Sequence, residues 1–202
     1  MPNSRKPVMA EHGLLPSRVA VALLHHPVYD KNRQVVTTAV TNLDIHDIAR
    51  TARTFGLFRY YVVNPVPEQQ ALTERIRLHW LEGWGAGYNP RRKEALELLR
   101  VMPGLADAIS DLTGEFGEHP LLVVTGARAD GAVTTVAQLQ DIMAGNPDRP
   151  CLLLFGTGWG LTGEIFERAD IALEPIRGCG DYNHLPVRAA VAIYLDRLFG
   201  RG

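Results

Sequence analysis

The 202-residue chain is poor in cysteine, with only Cys151 and Cys179. Two cysteines cannot build the disulfide framework of a small secreted domain, so a reducing compartment is predicted. The chain also lacks an excess of either charge, because 21 Lys and Arg stand against 22 Asp and Glu, for a formal net charge of -1. No global field attracts polyanions, and any nucleic acid would be bound by a local basic patch.

Long apolar runs are absent as well. No stretch approaches the ~18 residues that a membrane-spanning helix needs. Residues 1–17 contain no apolar core of the kind found in signal peptides. We expect residues 1–17 to be a disordered leader or linker and residues 18–202 to form one domain of a cytoplasmic protein without a membrane partner.

Apolar runs rich in valine and leucine alternate with segments of helical periodicity. Strands are predicted at 18–26, 60–64, 119–127, 150–156 and 170–176. Helices are predicted at 41–57, 67–85, 88–102, 104–112, 133–144, 161–169 and 185–199, and residues 29–34 as a polar loop. This alternation predicts an α/β fold, a mostly parallel sheet with helices on both faces.

Residues 152–161 read LLLFGTGWGL, an apolar strand that ends in a loop containing Gly156, Gly158 and Gly160. Alternating glycines let a backbone pass close to a ligand. A phosphate-binding P-loop is excluded because Leu161 stands where that loop carries lysine. The loop also differs from the GxGxxG of dinucleotide-binding folds. A tight turn without a ligand is the plainer alternative.

The spacing GxGxG is closer to the S-adenosylmethionine (SAM) loop of open-sheet methyltransferases. That fold needs several more strands after the loop, whereas residues 157–202 supply about one strand and two helices. The position of the loop therefore argues against an ordinary open-sheet methyltransferase.

Taken with its neighbours, the loop resembles a motif of the knotted SPOUT RNA methyltransferases. The two C-terminal motifs of that superfamily are similar to LLLFGTGWGL and to ADIALEPIRGCGDYNHLPVRAAVAIYLDR, and its first motif is similar to TNLDIHDIARTARTFGL. The resemblance covers most of residues 18–202. Residues 79–96 and 181–194 are most similar to the SPOUT domain sometimes fused behind a tRNA (guanine-N1)-methyltransferase.

The resemblance implies a deep C-terminal trefoil knot, SAM as the cofactor, no metal, and a homodimer with active sites at the subunit interface. It also implies a set of cofactor-binding residues in the last third of the chain. These are Thr125, Gly126, Gly156, Gly158, Gly160, Ile176, Gly180 and Leu185.

The predicted catalytic residues Asn42, His46 and Arg50 lie on one stripe of the first helix, with Arg53 three residues further on. Arg50 matches the active-site arginine of the superfamily. Because arginine hardly releases its proton, we expect Arg50 to hold a phosphate or orient the acceptor hydroxyl. His46 titrates near neutrality and is the candidate proton acceptor. The alternative for each is a solvated helix surface.

Cations and aromatic residues are mixed in the second and third predicted helices, as in many RNA-binding surfaces. The alternative is a solvated helix pair whose tryptophans belong to the core. The aromatic residues are Trp80, Trp84 and Tyr88, and the predicted RNA-binding residues are Arg53, Arg91, Arg92 and Lys93.

The sequence therefore predicts a SAM-dependent RNA methyltransferase that acts on tRNA at a ribose 2′-hydroxyl. Two alternatives are a non-catalytic RNA- or nucleotide-binding module that retains the knot pocket, and a nicotinamide-dependent enzyme. The first is permitted by departures from the ribose methyltransferases of the superfamily. Gly158 and Trp159 stand in the region of their glutamate, and Tyr182, Asn183 and His184 stand at their Ser–Leu–Asn run.

Overall fold

The computed structural model describes residues 14–127 and 132–201. Six strands form one parallel sheet in the order β5-β4-β1-β7-β6-β8. They are β1 (Val19–Leu24), β4 (Arg59–Val63), β5 (Leu99–Met102), β6 (Leu121–Val124), β7 (Cys151–Gly156) and β8 (Ile171–Ala172). A separate antiparallel hairpin consists of β2 (Val28–Tyr29) and β3 (Val35–Val36).

Helices cover both faces of the sheet. They are α1 (Asn42–Thr54), α2 (Pro67–Leu81), α3 (Trp84–Tyr88), α4 (Pro90–Leu96), α5 (Leu105–Phe116), α6 (Val136–Gly145), α7 (Gly163–Arg168) and α8 (Val187–Phe199). Buried side chains of α1, α4, α6 and α8 pack on one face, and those of α5 and α7 pack on the other. The predicted α/β fold with a mostly parallel sheet is confirmed.

Side chains of the central strands alternate between the two cores, as the pleat of a strand requires. In β1, Val21 and Leu23 face the core under α1 and α8, whereas Ala22 and Leu24 face the core under α5 and α7. Because both faces are covered, the central strands are apolar throughout and not alternately polar.

One predicted helix contains the strand β5. The segment 88–102 was expected to be a single helix, but α4 ends at Leu96 and Leu99–Met102 pairs with β4 as the edge strand β5. The apolar pattern runs on from Leu96 through Leu98 to Leu99, and no glycine or proline marks the boundary. Pairing with β4 therefore overrides the helical pattern after residue 98.

Other boundaries differ by a few residues. The predicted helix 67–85 breaks at Gly83, where an added Cβ would lie 2.7 Å from the carbonyl oxygen of His79. Helix α5 continues to Phe116 and ends at Gly117, whose φ of 75° is left-handed. The predicted strand 170–176 shortens to the two residues of β8.

At the amino-terminal end of the described chain, Leu14 and Pro16 are buried and residues 16–18 form a 3-10 turn. Packing therefore begins before the predicted boundary at residue 18, and the remainder of the predicted leader, residues 1–13, lies outside the described residues. Among the described helices, none has the length and apolar character needed to cross a lipid bilayer.

The sheet order creates a position suited to a ligand. Strands β4 and β5 lie on one side of β1, and the later strands β7, β6 and β8 lie on the other side, in that spatial order. In open α/β sheets, ligands bind outside the carboxyl ends of the strands where the direction of winding changes. Here those ends are Leu24 of β1 and Gly156 of β7, which lie side by side.

Candidate active site

A cleft of about 1190 Å³ opens at the carboxyl ends of β1, β6 and β7. One wall is the β2–β3 hairpin, and another is the segment leading into α1, from Thr38 to Asp44. The remaining walls are the turns after β6 and β7 and the segment around the start of α8. Residues 60 or more positions apart in sequence therefore meet in one cavity.

Seven of the eight predicted cofactor-binding residues line this cleft. They are Thr125, Gly126, Gly156, Gly158, Gly160, Ile176 and Leu185. The eighth, Gly180, is exposed and is not among the lining residues.

The glycines of the loop after β7 are required by its geometry. Gly158 and Gly160 have φ values of 58° and 99°, in the region that L side chains rarely adopt. A Cβ at Gly158 would also lie 2.9 Å from the carbonyl oxygen of Tyr29, and one at Gly156 would lie 2.7 Å from Cγ of Leu161. Side chains at 156 and 158 would therefore displace the loop from its neighbours.

The glycine loop is hydrogen-bonded to the hairpin. The amide of Tyr29 donates to the carbonyl of Gly160, and the amide of Trp159 donates to the carbonyl of Tyr29, each at 2.9 Å. Val28 also forms a bridge with Leu161. The two elements therefore hold each other in a fixed position at the cleft.

A partly buried polar network supports the loop from the sheet side. Nδ1 of His25 lies 2.9 Å from Oγ1 of Thr38, which lies 2.5 Å from Oγ1 of Thr157. The Thr157 hydroxyl also donates to the carbonyl of Leu24, at 3.3 Å. Burial lowers the pKa of His25 to about 4, so the ring is neutral at pH 7. Thr38 and Thr157 line the cleft, and the network fixes them there.

An ion pair that sequence reasoning missed lies at the α1 end of the cleft. Arg188 of α8 has Nη1 3.6 Å from Oδ1 of Asp44 and Nε 3.5 Å from Oδ2 of Asp47. The other carboxylate oxygen of Asp44 accepts the Thr41 hydroxyl at 2.6 Å. Asp44 and Arg188 both line the cleft. In the sequence, Asp44 stands out only as an acid in the first turn of the predicted helix 41–57. Arg188 stands out only as a charge within the apolar predicted helix 185–199.

The predicted catalytic residues Asn42, His46 and Arg50 do not line the cleft of their own chain. Asn42 and Arg50 are exposed, and Nη1 of Arg50 lies 4.0 Å from Oδ1 of Asp47. His46 is half-buried, with its ring 5.6 Å from that of Trp80 in an edge-on arrangement.

The environment of His46 favours the neutral imidazole. Burial lowers the pKa of His46, the Arg92 guanidinium lowers it further, and Asp47 opposes them. Within the described part of the chain, Nδ1 of this ring is buried and has no hydrogen-bond partner. A neutral ring is the form that accepts a proton.

The predicted RNA-binding cations have different surroundings. Nη2 of Arg53 lies 3.4 Å from Oε2 of Glu94, and the Arg92 guanidinium lies 4.7 Å above the ring of Trp80. These two side chains are thus engaged within the chain. Arg91 is exposed and Lys93 is half-buried.

Beside these cations lies an exposed aromatic pair. Trp84 and Tyr88 of α3 are 73% and 70% exposed, and their rings stack at 4.6 Å with an angle of 20°. Trp80, in contrast, packs against the core. The alternative of core tryptophans therefore holds for Trp80 and not for Trp84.

Comparison with known proteins identifies the family. Residues 18–200 match a family described as SAM-dependent RNA methyltransferases. This match covers nearly the whole chain. The chain belongs to this family. It is therefore an enzyme that uses SAM.

Two curated relatives of this RNA methyltransferase differ in length. A protein of Aquifex aeolicus named only as uncharacterized is 41% identical over 188 residues, which are 93% of this chain and 91% of that protein. A tRNA (guanine-N(1)-)-methyltransferase of Oleidesulfovibrio alaskensis is 41% identical over 179 residues, which are 89% of this chain and 41% of that protein. The chain thus spans about two fifths of the length of this second relative.

Solved structures share the fold. The SpoU methyltransferase AviRb of Streptomyces viridochromogenes, in complex with the cofactor AdoMet, matches with a TM-score of 0.56 and 17% identity. The match covers 98% of this chain and 62% of that one. Together with the family match, this confirms the resemblance to the SPOUT methyltransferases.

The cleft suits SAM chemically. Turns containing Gly126, Gly158 and Gly160 line it with backbone, and Ile176 and Leu185 line it with apolar side chains, a combination typical of small-molecule sites. The carboxylate of Asp44 also lies in the cleft, where Arg188 balances its charge. Across residues 14–127 and 132–201 there is no group of three or more His, Cys, Asp or Glu able to hold a metal ion.

Proposed function

We propose that this methyltransferase acts on tRNA and methylates a ribose 2′-hydroxyl. The observation that carries the proposal is the convergence of the glycine loop, the turn after β6 and the segment 176–185 on one cleft beside the start of α1. The relatives named tRNA (guanine-N(1)-)-methyltransferase support tRNA as the substrate. Such a substrate also accords with a cytoplasmic location.

The acceptor end of the cleft supports a ribose and not a base. Its lining includes the charged side chains of Asp44 and Arg188, beside the exposed cations of the hairpin. Cations suit the sugar–phosphate backbone, whereas recognition of a base edge needs paired donors and acceptors.

In this proposal the eight predicted cofactor-binding residues hold SAM, which supplies an electrophilic methyl group. The glycine turns bind the adenosine through backbone groups, and Ile176 and Leu185 exclude water from it. Gly180 belongs to the turn that connects these two apolar residues.

Transfer to the ribose breaks the S–CH3 bond, forms an O–CH3 bond and releases the 2′-hydroxyl proton. We assign the proton to Nε2 of His46, because Nδ1 is buried and the ring is held neutral. Arg50 orients the acceptor through its guanidinium fork, and Asn42 hydrogen-bonds to the ribose.

These three residues do not line the cleft of their own chain, so we propose a homodimer in which α1 of one protomer completes the cleft of the other. Leu43, between the proposed residues of α1, is 59% exposed. Helix α8, which packs on α1, carries half-buried Ala189 and Ile193. An apolar surface of this kind favours a protein partner.

The trefoil knot is part of the same proposal. Helix α8 packs on α1 and α6, and its first residues, Val187 and Arg188, line the cleft. This position of the last helix beside the cleft supports the proposal of a threaded C-terminal segment.

For RNA, we propose that Arg53, Arg91, Arg92 and Lys93 form a basic surface together with the stacked pair of α3. The exposed rings of Trp84 and Tyr88 support this assignment, because unpaired bases stack on aromatic faces while cations hold the phosphates.

The test is incubation of the purified protein with tRNA transcripts and SAM carrying a labelled methyl group. Mass spectrometry of the nucleosides identifies the product, and limited alkaline hydrolysis shows whether the 2′-oxygen is blocked. We expect a 2′-O-methyl nucleotide and a gap at one position of the hydrolysis ladder. Label on a base, with an uninterrupted ladder, would contradict the ribose assignment.

A further inference from the structure

The β2–β3 hairpin forms a wall of the cleft, but none of the residues predicted for the site lies on it. Tyr29, Lys31 and Arg33 line the cleft, and the last two are exposed. Among the described residues, neither cation has a carboxylate within 4.0 Å. The hairpin thus presents two uncompensated positive charges at the cleft.

The other charges that face the cleft are balanced differently. Arg188 is paired with Asp44 and Asp47, and among the described residues Glu167 is the remaining carboxylate of the lining. Asp30, next to the two cations, accepts hydrogen bonds at its Oδ1 from two amides of the turn. Within the part of the chain that the structure describes, the unpaired Lys and Arg side chains of the cleft are therefore those of the hairpin tip.

The tip has a fixed conformation. The amides of Asn32 and Gln34 donate to Oδ1 of Asp30 at 2.8 Å each, and the Asp30 amide donates to the Gln34 carbonyl at 2.9 Å. Arg33 has a left-handed φ of 63°, which is costly for a residue with a side chain, and its guanidinium lies 4.1 Å above the ring of Tyr29. A preorganised tip loses little entropy when it binds an anion.

The two backbone hydrogen bonds of Tyr29 also fix the position of the tip relative to the glycine loop. An anion bound by Lys31 and Arg33 therefore lies at a defined distance from the site proposed for the methyl donor. Lysine and arginine together are a common pair for phosphate, the first as a point charge and the second as a bidentate fork.

We propose that the hairpin, residues 28–36, binds the phosphate beside the acceptor nucleotide of the RNA, with Lys31 and Arg33 as its ligands. This inference rests on the proposed function, because it requires RNA at the cleft. The hairpin then sets which nucleotide of the chain stands at the methyl donor, whereas the surface on α3 and α4 holds more distant parts of the RNA.

The test compares the double variant Lys31→Gln, Arg33→Asn with the wild type and with Arg197→Gln, which removes an exposed cation from the last turn of α8. Asparagine tolerates the left-handed conformation at position 33. Filter binding of a tRNA transcript is measured between 50 and 200 mM salt, and SAM binding is measured by calorimetry.

We expect the double variant to bind the RNA about tenfold more weakly, with a salt slope smaller by roughly 1.5, because two phosphate contacts are lost. Its SAM affinity and the RNA affinity of the Arg197 variant should equal those of the wild type. Unchanged RNA affinity and slope would overturn the hairpin assignment alone. Loss of SAM affinity would overturn it in favour of a structural role, and a wild-type protein that binds no RNA would overturn the proposed function itself.

Discussion

The glycine loop at one end of the cleft and helix α1 at the other are built in different ways. The loop is held by backbone hydrogen bonds to the hairpin and by the partly buried His25–Thr38–Thr157 network, all within one chain. Helix α1 contributes Asp44 to the cleft, whereas Arg50 projects into solvent. This difference is the basis of our proposal that one protomer holds the cofactor and that the acceptor chemistry depends on a second protomer.

The largest expected effect comes from α1. Arg50→Ala should slow methyl transfer to tRNA by about a thousandfold, because the acceptor loses its orienting group. SAM affinity, measured by calorimetry, should be unchanged, and Arg201→Ala is the control for loss of an exposed positive charge. An active Arg50 variant would remove α1 from the chemistry.

Mixed dimers sharpen the same comparison. Arg50→Ala and Gly158→Val chains, each inactive alone, are co-expressed so that they assemble at random. If α1 acts on the cleft of the partner, each heterodimer has one intact site, and about a quarter of the wild-type activity should return. No recovery would mean that Arg50 serves its own chain.

The cofactor end was the more predictable of the two. Gly156, Gly158 and Gly160 stand out in the sequence because a left-handed φ and close backbone contacts leave few alternatives to glycine. Asp44 and Arg188 are 144 positions apart, and no local pattern signals an ion pair across such a separation. The hairpin escaped prediction because strands of two residues are too short to show alternation.

The interior strands were predictable for a similar reason. Residues 19–24 and 151–156 are continuous apolar runs because both faces of the sheet are covered. The edge strand β5 was not predictable, because Arg100, Val101 and Met102 are only partly buried and continue the helical pattern of α4. Edge strands carry less of the core and thus a weaker sequence signal.

The next effect concerns the stability of the cofactor end. His25 has a pKa of about 4 in the folded chain against an ordinary 6.5, so the unfolded chain binds more protons between these values. Stability is full above pH 6.5 and should fall by about 3 kcal/mol as the pH drops to 4. Urea unfolding across this range measures the loss.

His25→Asn should flatten that pH dependence while retaining a polar contact with Thr38. His119→Asn, which changes an exposed histidine, is the control, and its free energy of unfolding should depend on pH as in the wild type. If the His25 variant keeps the full slope, burial of this ring is not what makes the fold sensitive to acid.

A smaller effect is expected at the aromatic pair. Trp84→Ala and Tyr88→Ala should each weaken binding of a tRNA transcript by about tenfold, because a stacked base contributes about 1–3 kcal/mol. SAM affinity should not change. Leu78→Ala, a partly exposed apolar residue of α2, is the control. Equal RNA affinity in all three variants would place the RNA elsewhere.

The most direct test of the cofactor site is a calorimetric titration of SAM into the wild type, Gly158→Val and Gly114→Ala. Gly114 lies in α5, and an added Cβ there meets no atom within 4 Å. We predict one SAM per chain for the wild type and the Gly114 variant, and at least a hundredfold weaker binding for Gly158→Val, with thermal unfolding showing that this variant is folded. Equal SAM affinity in the folded Gly158 variant and the wild type would contradict the account.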